Sequence, residues 1–160
     1  MIEAPEMTDQ QISEYLSQPL IAKLATINPD GSPQLSPIWF YYNEGSLFIA
    51  TYNRALKVSN IKRSNEVSLL VDSTDGGIKL KGVLFKGKAE LIGGDECKKI
   101  EKLIYDKYLT QEIVQQDSTA ATFKRIVLAS EDSVCIKFKP EKTVSWDYTR
   151  MKVQEMRAVY

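Results

Sequence analysis

Three turn tetrapeptides, NPDG at 28–31, NEGS at 43–46 and TDGG at 74–77, divide the first half of the chain into short segments rich in β-branched and aromatic residues. Proline presets one turn torsion and glycine accepts positive φ, so each tetrapeptide reverses the chain and forces its flanks into neighbouring antiparallel strands. The segments so delimited are LIAKLATI, PQLSPIWFYY and LFIAT, followed by EVSLLVDS and IKLKGVLFKGKAELI. Gly82 and Gly87 in the last of these read as bends or bulges. A sixth strand, SVCIKFKPEKTVSWDYT, is bent at Pro140. Helical spacing occurs in MTDQQISEYLSQ, with Thr8 as N-cap and Ile12 and Leu16 on one face. It recurs after Asn53 (Ala55, Val58, Ile61), in DECKKIEKLIYDKYLT, and in AATFKRIVL. Six antiparallel strands with helices between them predict a mixed, mainly β (α+β) fold with a closed or nearly closed barrel, and residues 1–160 read as one domain.

Composition removes several function classes. Lys plus Arg and Asp plus Glu are both 21, so the chain lacks the basic field of a non-specific nucleic-acid binder. There is no histidine, which excludes His-dependent triads, His-ligated zinc or haem, and imidazole proton shuttles. Cys97 and Cys135 have neither metal-knuckle spacing nor a disulfide framework around them and read as reduced packing residues. The acidic N-terminus lacks an apolar leader and no run approaches a membrane span, so the expected location is the cytoplasm.

One local conflict points to a ligand. The helix predicted after Asn53 carries Arg54 and Lys57 at its start, where the helix dipole already presents partial positive charge. At about 100° per residue, Arg54 falls between Val58 and Ile61 and Lys57 on the flank, so both cations are expected to face the sheet. A bound anion would resolve the conflict; snorkelling surface cations are the competing reading.

The order LATINPDGSPQLSPIWFYY, LFIAT, KVSNIKRSNEVSLLVD, GKAEL and PEKTVSWDY resembles the FMN-binding split-barrel proteins related to pyridoxamine 5'-phosphate oxidase, over nearly the whole chain. The resemblance implies a six-stranded antiparallel split β-barrel with flanking helices, a homodimer, and two cofactor sites along the subunit interface. It identifies the anion as a cofactor phosphate, gripped from the segment containing Ala50, Thr51, Arg54 and Lys57. It lays the flavin ring along Ser36, Pro37, Ile38 and Trp39, held chiefly by backbone groups, and brings Trp146 near the dimer cleft. Tryptophans such as Trp39 and Trp146 are more often core anchors than cofactor contacts, and for Trp146 the two readings stand level. Lys79, Lys81, Lys86 and Lys88 read as a solvated strand face, with Lys81 or Lys86 within reach of an anion, and Tyr105 and Tyr108 as packing residues.

Two departures narrow the activity. The Arg and His segment that grips substrate phosphate in true pyridoxamine-phosphate oxidases has no counterpart after Trp146, and the glutamine that faces the flavin in relatives is replaced at or near Gly82. The resemblance therefore implies an FMN-dependent oxidoreductase acting on a small molecule other than pyridoxamine phosphate. A reductase using a deazaflavin of the F-420 type, or a non-catalytic flavin-storage protein, are the alternatives. The catalytic residues stay unassigned, and no metal, nucleic acid or membrane is expected.

Overall fold

The structure, a computed structural model, describes residues 5–151. The first four residues of the acidic N-terminus and residues 152–160 lie outside that range. Helix α1 (Asp9–Ser17) starts where expected: the Thr8 hydroxyl accepts from the Gln11 N–H while the Gln11 side chain accepts from the Thr8 N–H, satisfying two otherwise orphaned donors. Its buried face, Ile12, Tyr15 and Leu16, closes one end of the core.

Strands β1 (Ala22–Ile27) and β2 (Pro33–Ile38) pair through the predicted NPDG turn, with Gly31 at φ 84°. Strands β3 (Tyr41–Asn43) and β4 (Ser46–Tyr52) pair through Glu44 and Gly45, both at positive φ as a tight hairpin turn requires. Helix α2 (Leu56–Arg63) leads to β5 (Glu66–Thr74) and β6 (Leu80–Ile92). A helical insertion of α3 (Gly94–Tyr108), α4 (Gln111–Gln116) and α5 (Ser118–Ala129) precedes β7 (Ser133–Asp147) and a short 3-10 turn (Tyr148–Arg150). Of these, α4 was not foreseen.

All pairings are antiparallel, in the order β2-β1-β5-β6-β7-β4-β3. The expected count of six strands becomes seven because the arm PQLSPIWFYY breaks at Trp39 and Phe40. Phe40 is fully buried in the main core, whereas Trp39 packs with the second cluster around α3. The break transfers the chain from one edge of the sheet to the other. Ile38 and Tyr41 are three Cα steps apart, so the two edges approach within about 11 Å and the sheet must be rolled. β2 and β3 do not pair, and the sheet is not closed by hydrogen bonds.

The core inside the roll comprises Leu24, Leu47, Ile49, Leu69, Val71, Val83, Phe85, Ile136 and Phe138 with the α1 face. A register shift falls between Lys86 and Gly87, opposite Pro140, so the β7 bend is a bulge within one continuous strand. Gly82, by contrast, sits in regular register between Asp72 and Trp146. It is no bulge. A Cβ there would lie 2.4 Å from Trp146 Cζ2, so glycine is required by the indole that covers it.

Candidate functional site

The helix that carries the charge conflict begins later than its sequence suggests. Ala55, not Asn53, occupies the N-cap position, and no side chain caps the end or places an acid in the first turn. Val58 and Ser59 donate to the Ala55 carbonyl, which leaves the N–H groups of Leu56 and Lys57 without intrahelical partners. Arg54 therefore precedes the helix and does not lie between Val58 and Ile61. Its side chain is 87% exposed and its Nε donates to Asp132 at 3.2 Å. Lys57, in the first turn, is half-buried, and no carboxylate pairs with it among the described residues. Burial pushes its ammonium below the ordinary lysine value.

Lys57 borders an open cleft of about 810 Å³, part of it continuous with solvent, whose other walls are Ile21, Pro37, Ile38, Trp39, Ala50, Ile104, Tyr105 and Phe123. Five residues expected at the cofactor site (Pro37, Ile38, Trp39, Ala50 and Lys57) thus meet at one cleft. Ser36, Thr51, Arg54 and Trp146 are not among its walls. Thr51 is half-buried on β4 opposite Val134, and Ser36 lies on β2 opposite Leu24. Trp146 lies against Gly82 on the far strand.

The cleft is aromatic on the side of the helical insertion. The Trp39 ring stacks on Tyr108 with centroids 4.8 Å apart and planes 4° apart. Trp39, Tyr105 and Phe123 then form a triangle of edge-on contacts at 6.1, 6.2 and 6.2 Å. Tyr108 is fixed from behind, its hydroxyl donating to the Leu20 carbonyl and accepting from the Phe40 N–H. Tyr108 packs helix to sheet, as the sequence reading expected. Tyr105 does more: it faces the cleft, with burial raising its phenol above the ordinary value. Phe123, Ile104 and Ile21 were missed because helical spacing identifies a packed face but not the cavity beside it.

The cleft's opposite wall is an edge strand. Among the described residues β2 pairs only with β1, so backbone polar groups on its outer side are available to a ligand, and prolines at 33 and 37 blunt the edge against further strand addition. A flat apolar slot, free edge amides and a desolvated cation beside an uncapped helix end fit a planar heterocycle bearing an anionic tail.

The expected lysine face divides. Lys79, Lys86 and Lys88 are exposed, whereas Lys81 is half-buried, 3.3 Å from Asp147 and 5.2 Å from the centre of the Tyr15 ring. Burial opposes ionisation of Asp147, but the Thr149 hydroxyl and Lys81 outweigh it and hold the carboxyl below its ordinary value. Among the described residues there is no cluster of three metal-ligating side chains, and no helix is long and apolar enough to cross a membrane.

A sequence model of a family described as pyridoxamine 5'-phosphate oxidase matches residues 8–146. Among solved structures, a conserved hypothetical protein from Mycobacterium tuberculosis is similar with a TM-score of 0.75 and 24% identity, covering 96% of this chain and 95% of that one. An F-420 reductase is similar at 0.61 and 24% identity, over 82% and 94%. A FAD-binding protein from Mesorhizobium loti is similar at 0.61 and 17% identity, over 89% and 96%. At these identities the likeness to the three structures is one of fold.

Proposed function

The chain belongs to the pyridoxamine 5'-phosphate oxidase family, and from that premise we propose that it is an FMN-dependent oxidoreductase of the cytoplasm, acting on a small molecule other than pyridoxamine phosphate. The observation that carries the reading is the convergence of Pro37, Ile38, Trp39, Ala50 and Lys57 on one cleft beside the uncapped start of α2. A flavin bound there would supply reversible two-electron acceptance at its ring. The chain's own residues bind and orient. Lys57 and the first-turn amides of α2 hold the phosphate, and Thr51 and Arg54 reach it from the strand end, Arg54 after leaving Asp132. Backbone groups of the β2 edge near Ile38 and Trp39 hold the polar rim of the ring, and N–H donors there favour negative charge on it. The Trp39, Tyr105 and Phe123 wall excludes water from one side.

The site works as half of a homodimer in this reading. The outer sheet face carries a row running from Pro37 through Lys23, Leu70 and Leu84 to Val144, apolar apart from Lys23, which pairs with Asp72, and with Val144 41% exposed. A largely apolar row of this kind, adjoining the cleft at Pro37, suits a second copy.

A second reading, a reductase using a deazaflavin of the F-420 type, draws on the likeness to a protein of that name. Both cofactors carry a ring, a ribityl chain and a phosphate, so the same residues serve either. Titration of purified protein with FMN and with the deazaflavin, followed by absorption and fluorescence, separates the readings. Tight 1:1 binding of FMN and its reduction by a reduced nicotinamide are expected. Preference for the deazaflavin supports the second reading, binding without turnover supports storage, and uptake of neither overturns all three.

A further inference from the structure

The chain has two cysteines, 38 positions apart, and the fold brings their sulfurs into contact. Cys97 lies in the first turn or so of α3 and Cys135 near the start of β7; the Sγ atoms are 2.7 Å apart and the side chains are 1% and 0% exposed. That separation is well inside the ~3.5–4.0 Å at which non-bonded heavy atoms are most favourably placed. Ile100, Ile104 and Tyr108 pack around the two cysteines, and the nearby Glu101 carboxylate is already paired with Lys98 at 3.0 Å. Both are free thiols in the structure.

We infer that Cys97 and Cys135 form a reversible cross-link that clamps the helical insertion to the sheet. The pair sits at the two ends of that insertion, with nearly all of α3, α4 and α5 between them. The insertion supplies Ile104, Tyr105 and Phe123 to the cleft, and Cys135 is the register partner of Ala50 on the opposite wall. A bond between the sulfurs therefore fixes one wall of the cleft relative to the other.

The oxidant is a low-molecular-weight disulfide. One cysteine thiolate attacks it, releasing a small thiol and forming a mixed disulfide; the other cysteine then displaces the second small thiol and forms the Sγ–Sγ bond. In all, the protein loses two protons and two electrons, and the small disulfide is reduced to two thiols. Burial raises both thiols above their ordinary values and shields them from solvent, so exchange proceeds while the insertion is open rather than in the closed fold.

The test avoids that kinetic barrier by refolding the full chain from denaturant in glutathione buffers of graded oxidation. One portion of the refolded protein is then alkylated under denaturing conditions and weighed, and another is melted. The expected product is a single chain two hydrogen masses lighter, refractory to maleimide, with a Tm roughly 4–15 °C above the same protein reduced. Cys97→Ser and Cys135→Ser should lose the Tm response to oxidation; should either fail to fold, the oxidised and reduced wild-type melts still decide. Two reactive thiols or glutathione adducts at the most oxidising ratio, bonds only between chains, or a bond that leaves the Tm unchanged would each overturn the inference.

Discussion

Lys57 is the residue on which the cofactor reading turns. It is a half-buried cation without a carboxylate partner among the described residues, at a helix end that already favours anions. Replacing it with Ala should weaken FMN binding by about 1.5–3 kcal/mol, the range for hydrogen bonds to charged groups, and should leave the cofactor-free protein as stable or slightly more so. Arg54→Ala should cost less affinity, because the exposed guanidinium must first give up Asp132. Isothermal titration and melts of both variants check this; equal affinities in wild type and Lys57→Ala would sink the phosphate assignment. Lys107 offers a second test at this scale. Its ammonium donates to the Leu16 and Phe40 carbonyls at 2.8 and 3.1 Å and lies 3.9 Å from the centre of the Phe40 ring, while burial lowers it to about 8. Between that value and the ordinary 10.5 the unfolded chain binds a proton that the folded chain has released, so stability contributed by this residue rises with pH across that window. Urea melts from pH 7 to 10 should show wild type gaining on Lys107→Met above pH 8.

Among the elements, β6 and β7 are the most tightly interdependent, and one contact between them is testable. A methyl group at position 82 would meet the Trp146 indole at 2.4 and 2.7 Å. Gly82→Ala should therefore cost about 1–3 kcal/mol and shift the tryptophan emission as the ring is displaced. In a Trp146→Leu background the same change should cost far less, and the difference measures the coupling. If Gly82→Ala were equally costly in both backgrounds, the glycine would serve the backbone rather than the ring. This contact also revises the reading of Gly82 as a bend or bulge: the position is covered by a side chain of the chain itself.

For the whole molecule, the largely apolar row across the outer sheet face predicts a dimer. The buried area should exceed the ~1,000 Å² of a specific contact, and light scattering at micromolar concentration should give twice the chain mass. Val144→Glu, which puts a carboxylate on an exposed apolar position beside Leu84, should shift the protein to monomer without unfolding it. A wild-type monomer with cofactor present would remove the dimer from the proposal.

Much of this protein could be read from its residues alone, because local rules govern the features concerned. Turn chemistry at Gly31 and Gly45, the Thr8 cap, and the strand character of β5 depend on neighbours within a few positions, and each stands where the pattern puts it. Pro37, Ile38 and Trp39, which the resemblance singled out, and the cation Lys57, marked by its charge conflict, meet at the cleft. The remainder depends on which surfaces the rolled sheet brings together. No local signal separates Trp39 from Phe40, yet their burial in different clusters breaks one expected strand into two and moves the chain between sheet edges. Helix capping was decided by Ala55 rather than Asn53, which turned Arg54 outward to Asp132, a residue 78 positions away. The aromatic wall of Tyr105 and Phe123 and the contact of Cys97 with Cys135 join elements distant in sequence. Such pairings follow from packing of the whole chain, since side chains that meet only after the core has formed leave no periodicity by which to find them.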